Sequence, residues 1–222
     1  MKTNDWVVDK TKKKPRLSNN NNSEVFTWFS KNNEFLAIWG IGGNSWFEKS
    51  IKKIEKINYQ ASNENEIFQK VVILMDRDFG NVDNLIATHL SYFSSTPDGT
   101  ISNNTWIQMK LKNSFETYIN FQIAFLVIPF DQEGALETFL IEAMKEIERD
   151  RLVIEKCEEF INDLESEVYL TTPRLKLKAK FSVILSIFSP EKVFDFIDSL
   201  LMQINWEGYK NVQSSFALFD EI

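Results

Sequence analysis

A single cysteine and a single histidine among 222 residues narrow the chemistry open to this chain. Cys157 has no second cysteine to pair with, so no intramolecular disulfide can form, which agrees with a reducing compartment. His89 and Cys157 are also too few for a usual zinc site. Long apolar runs are missing. The longest, IAFLVIPF at residues 123–130, falls far short of the ~20 residues that span a bilayer and suits a buried strand instead. The opening residues, MKTNDWVVDKTKKKPRL, hold no apolar core of the secretory kind. These absences predict a soluble, cytoplasmic protein without a membrane partner. Positive charge is in deficit too. A formal net charge of −7 argues against a protein that coats nucleic acid, because phosphate binding needs a positive field. An enzyme that reaches nucleic acid through bridging metal ions is still compatible with it.

Apolar residues are plentiful, at 43%, with 14% aromatic, enough for one large buried core. DWVV, at residues 5–8, can be a short first strand, and residues 10–22, KTKKKPRLSNNNN, read as an exposed polar loop. From there strand-like and helix-like stretches alternate. SEVFTWFSK (23–31) has the spacing of a short helix, and EFLAIWG (34–40) is a continuous apolar run that suits a buried strand. SWFEKSIKKIEKI (45–57) is helical, KVVILMD (70–76) is a strand, and VDNLIATHLSYF (82–93) is a helix with His89 on its inner side. TWIQMKLK (105–112) and FQIAFLVIPF (121–130) are further strands. The alternation predicts an α/β fold with a mostly parallel sheet covered by helices, its strands buried on both faces. After Gly134 a helical apolar period runs from Leu136 to Leu164 through Cys157, interrupted only at Asp150. Pro173 and Pro190 then mark out two or three further helices, which gives a helical layer after the sheet.

Two stretches carry chemistry. WGIGGNSW holds three of the seven glycines between a strand and a helix, but the third glycine of a dinucleotide fingerprint is replaced by Ser45, and no Walker ending follows. It reads as a tight strand-to-helix turn, with phosphate binding the lesser alternative. KVVILMDRDFG is more specific. Asp76 and Asp78 end a strand, and period-two alternation would turn both to one side, at the sheet edge where α/β proteins collect ligands. Two adjacent carboxylates repel unless a cation lies between them, and hard oxygen donors favour Mg²⁺ or Mn²⁺. An Asp-x-Asp that pairs with Arg77 or caps the next helix is the rival reading. LVIPFDQEGALETFL repeats the design, with Asp131 and Glu133 in a turn and Glu137 one turn into a helix, where a carboxylate also suits the helix dipole.

In their order and spacing, FLAIWGIGGNSW, VVILMDRD, VIPFDQEGALETFL and RLKLKAKFSVIL with the C-terminal INWEGYKNVQSSFALFDEI resemble a family of uncharacterised Toprim-like proteins related to OLD-type nucleases. The likeness covers about residues 34 to 222. It implies a Toprim-like sheet in one domain: a polar segment at 1–33, the α/β core at 34–140 and the helical layer at 141–222 packed on it. It further implies that Asp76, Asp78 and Glu137 hold Mg²⁺ or Mn²⁺, and that Lys178, or else Lys176, assists at a phosphate. The implied activity is metal-dependent phosphoryl transfer, foremost nuclease action on nucleic acid, with a second copy or another protein as a further partner. Toprim domains open with a strand ending in Glu-Gly, and no such pair closes the first strand here; Asp9 and Glu24 stand in by position alone. That departure supports the alternative of a binding or regulatory module that has lost the reaction.

Overall fold

The computed structural model describes residues 6–11, 25–32, 34–41, 46–62, 66–78, 80–164, 168–190, 201–202 and 204–218. The lysine- and asparagine-rich stretch 12–22, Glu24, the glycine turn at 42–45 and the helical stretch expected at 191–200 lie outside the described residues. The chain divides into two compact units. One joins the residues up to Ile73 with Asn81–Leu126, and the other joins Leu74–Gly80 with the residues from Val127 on.

The first unit opens with a three-stranded antiparallel sheet, β1 (Val7–Val8), β2 (Val25–Lys31) and β3 (Glu34–Gly40), in that spatial order. Residues 25–31 are thus a strand and not the short helix their spacing allowed. Val, Phe, Thr and Trp favour the pleated surface, and pairing of Lys31 with Glu34 closes a tight hairpin with Asn32 in the left-handed region at φ 50°. Nor is β3 a buried strand, since Phe35 and Ile38 are about half exposed at 48% and 52%.

Helix α1 (Phe47–Gln60) buries Phe47 and Ile51, and with them three polar residues, Ser50, Glu55 and Asn58. Asn58 exchanges two hydrogen bonds with the backbone of Phe68, which fixes the chain leading into the next strand. The Glu55 carboxylate accepts from the backbone N–H groups of Ser94 and Ser95 and from the Ser95 hydroxyl, at 2.6–3.0 Å. Helix α2 (Val82–Leu90) is capped by Asn81, whose side-chain oxygen accepts from the Asn84 N–H at 3.0 Å. His89 is buried, donates from Nδ1 to the Leu85 carbonyl and meets Phe47 and Tyr92 edge-on, as expected of a core histidine.

The second sheet contains β4 (Lys70–Asp76), β5 (Thr96–Asp98), β6 (Trp106–Lys112) and β7 (Tyr118–Ile128), in spatial order β4-β7-β6-β5. It overturns the expectation of a mostly parallel, Toprim-like sheet. The β5–β6 and β6–β7 pairs are antiparallel. Gln122 donates to Gln69 at one end of the β4–β7 pair and Arg77 donates to Ile128 at the other, so those two strands run the same way and the sheet is mixed. The physical reason lies in residues 113–117. A parallel return needs a crossover of a dozen or more residues, whereas these close a short hairpin around Asn113, whose Oδ1 accepts from Phe115 N–H, Thr117 N–H and the Thr117 hydroxyl. Their lack of any helical stretch was the sequence signal against a parallel sheet.

In the second unit, helices α3 (Leu136–Met144), α4 (Glu148–Asp163) and α5 (Pro173–Phe188) enclose a core of Ile141, Met144, Ile154, Cys157, Phe181 and Ile184, joined by Tyr209. Cys157 serves as packing. The single long helical period expected from 136 onward is broken at Lys145–Ile147, where the chain turns between α3 and α4. Lys145 ties the two helices together by ion pairs to Glu142 and Glu158 at 2.8 and 2.9 Å. The Glu146 carboxylate accepts from the N–H groups of Lys210 and Asn211, and so caps a closing helix, Lys210–Ser215. No described helix is long and apolar enough to cross a membrane.

Candidate functional site

The end of β4, the loop after β7 and the start of α3 come together within the second unit. The strand stops at Asp76. Arg77 donates its N–H to the Ile128 carbonyl at 2.7 Å and its guanidinium to Phe130 O at 3.0 Å, so Arg77 serves the backbone and not the aspartates beside it. Asp78 adopts a left-handed conformation at φ 50° and exchanges two backbone hydrogen bonds with Gly134, at 2.6 and 2.8 Å. The period-two argument for Asp76 and Asp78 therefore ends one residue too early. What holds Asp78 in place is the bridge to Gly134, not strand alternation.

Gly134 is required by this bridge. Its φ of 142° suits glycine, and a Cβ there would collide with Thr138 Oγ1. Gly134→Ala is expected to cost about 2–4 kcal/mol, from the backbone strain and the collision together, read as a lower denaturation midpoint.

Helix α3 begins at Ala135, which has no side chain able to cap it. Asp76 supplies the cap from sixty residues away, its Oδ1 accepting from the Leu136 N–H at 2.9 Å. Sequence reading allowed for a capping aspartate but placed it on the following helix, α2, which Asn81 caps instead. Burial pushes the Asp76 carboxyl up from its ordinary value; the Leu136 N–H opposes this, Asp78 and Glu137 add to it, and Arg174 opposes it. Burial and the two neighbouring carboxylates win.

Of the expected site residues, Asp78 and Glu137 thus both lie within electrostatic reach of Asp76. Lys178 is exposed on α5, one turn beyond Arg174. It is Arg174 whose charge acts on Asp76, and sequence reading missed it. A signal was available. Arg174, Lys176, Lys178 and Lys180 load the first half of α5 with cations and no carboxylate, against the helix dipole. Among the described residues none of the four forms an ion pair. Asp131 and Glu133 are exposed in the loop before Gly134. Asp9 belongs to the first unit, where its carboxylate accepts from the Thr11 N–H and hydroxyl. The chain's Glu-Gly steps, Glu133–Gly134 and Glu207–Gly208, lie at the Asp78 bridge and at a single 3-10 turn.

Among the described residues no group of three or more His, Cys, Asp or Glu side chains is arranged as a ready metal cage. Mg²⁺ does not need one, since it keeps several waters and takes one or two carboxylates plus substrate oxygens. The oxygen donors here, and an Asp76 carboxyl that burial and its neighbours disfavour as an anion, fit that kind of ion. Compared with protein-family models, with curated proteins and with solved structures, the chain matches none of them.

Proposed function

We propose that the carboxylates of Asp76, Asp78 and Glu137 support Mg²⁺- or Mn²⁺-dependent phosphoryl transfer, with nucleic acid phosphodiesters as the substrate. The observation that carries this reading is the gathering of Asp78, Glu137 and the Arg174 charge around a half-buried Asp76 that is fixed at the start of α3. A bound divalent ion would polarise the phosphoryl group and lower the pKa of a water molecule. The chain's own contribution is positional. The Leu136 N–H fixes one Asp76 oxygen, Oδ1, at 2.9 Å. Arg174 and Lys178, one turn apart on the same side of α5, offer positive charge to a phosphate. The Gly134 bridge holds Asp78 against the start of α3.

The test is cleavage of single- and double-stranded DNA and RNA by the purified chain with Mn²⁺ or Mg²⁺. Metal-dependent cleavage is expected, falling about 100-fold or more in Asp78→Ala and about tenfold in Arg174→Ala. An Asp78→Ala chain that cuts as well as the parent would sink the assignment. A second reading, a module that binds without reacting, is favoured by the lack of a preformed cage among the described residues. It predicts no cleavage with either metal.

A further inference from the structure

Arg77 stands between Asp76 and Asp78, where a guanidinium could pair with either carboxylate and compete with a metal ion. Among the described residues it forms no ion pair, and its hydrogen bonds go to main chain. Its Nε donates to the Gly80 carbonyl at 3.3 Å, and the Gly80 N–H donates to the Arg77 carbonyl at 2.9 Å. These two bonds close the turn in which Asp78 sits. Its Nη1 donates to the Phe130 carbonyl at 3.0 Å, and its own N–H donates to the Ile128 carbonyl at 2.7 Å. These two hold the end of β7 and the chain that leads to Gly134.

Between Phe130 and Gly134 lie Asp131, Gln132 and Glu133, all exposed. Burial therefore gives that segment no anchor, and backbone bonds at its two ends must place it. Gly134 is held by its two bonds to Asp78, and Phe130 by Arg77. The result is a closed ring: from Arg77 to Phe130, along the chain to Gly134, across to Asp78 and back to Arg77. A guanidinium suits this task because its donors are fixed in one plane. Nε and Nη1 thereby set the Gly80 carbonyl relative to the Phe130 carbonyl. A lysine ammonium can meet one of the two carbonyls but fixes no angle between them.

We infer that Arg77 is a positioning residue for the carboxylate site, given that Asp76, Asp78 and Glu137 take Mg²⁺ or Mn²⁺ as proposed. It holds Asp78 against the start of α3 and so sets the affinity for the ion. Arg77→Met keeps much of the bulk and removes a positive charge beside two carboxylates, which through charge alone would tighten cation binding. Loss of position weakens it, so the sign of the change separates the two effects. Mn²⁺ binding to the full chain is measured by electron paramagnetic resonance, and exchange of the Asp78 and Gly134 amides by NMR in EDTA. Arg77→Met is expected to bind Mn²⁺ about tenfold more weakly, as loss of a group that orients a metal ligand does, and to exchange both amides about tenfold faster. Arg77→Lys keeps the charge and one bond, and should lose about threefold. It decides by the same two readouts if the methionine variant does not fold. Glu55→Ala, which weakens the other unit, should bind Mn²⁺ as the parent does. Unchanged amide exchange in Arg77→Met, or an equal loss of Mn²⁺ affinity in Glu55→Ala, would overturn the role of Arg77. A parent that takes up no Mn²⁺ sinks the metal site and the affinity claim together. A parent that binds while Arg77→Met binds no less sinks the role of Arg77 alone.

Discussion

Glu55→Ala is expected to lower unfolding stability by about 3 kcal/mol, a large share of the ~5–15 kcal/mol typical of a folded domain. Glu55 is 5% exposed, and its carboxylate answers two backbone N–H groups and one hydroxyl at Ser94 and Ser95. Removing it leaves buried donors unsatisfied and opens a cavity beside α1. Glu55→Gln keeps the shape and one acceptor oxygen, and should recover roughly half of the loss. Chemical denaturation of the three proteins at neutral pH measures both numbers. If Glu55→Ala unfolds at the midpoint of the parent, the carboxylate does not hold α1 to the 94–95 turn.

Asp76 should show effects of opposite sign for two substitutions. Asp76→Ala removes the acceptor from Leu136 N–H and is expected to cost about 1 kcal/mol, as lost helix caps do. Asp76→Asn keeps an acceptor and removes a disfavoured charge, so in EDTA at pH 7 it should raise the melting temperature by roughly 1–3 °C. The folded-state carboxyl titrates above its ordinary value of 3.8, foremost because it is buried. The protonated form is therefore the one that favours folding. That contribution is complete below the unfolded value and is lost as pH rises through the folded one. The advantage of Asp76→Asn should accordingly shrink toward acid pH and be full above the folded value. Saturating Mn²⁺ should reverse the order at pH 7 by stabilising the parent about 1–3 kcal/mol and the variant far less. Both variants should lose metal-dependent cleavage about 100-fold or more. A parent melting temperature that does not move with Mn²⁺ would refute the cation site.

The sequence by itself determined the places of α1, α2, β4, β6 and β7, because each is a long run whose hydrophobic period is unambiguous. It also marked Asp76 and Asp78 as unusual, since paired carboxylates at the end of an apolar strand need a partner, and Glu137 by its place in a second strand-turn-helix of the same design. Val25–Lys31 was ambiguous for a physical reason: Val25, Phe26, Trp28 and Phe29 satisfy a helical spacing as well as a pleated one, and pairing with β3 decides between them. Sheet direction depended on the short turn around Asn113, a local feature whose hydrogen bonds outweigh the general habit of α/β alternation. Only the tertiary structure could show that Asp76 caps α3 across sixty residues, that Gly134 pins Asp78, and that Arg174 rather than Lys178 acts on the acidic group. Each of these joins positions far apart in the chain. One-dimensional spacing carries no information about which distant backbone N–H a carboxylate will meet.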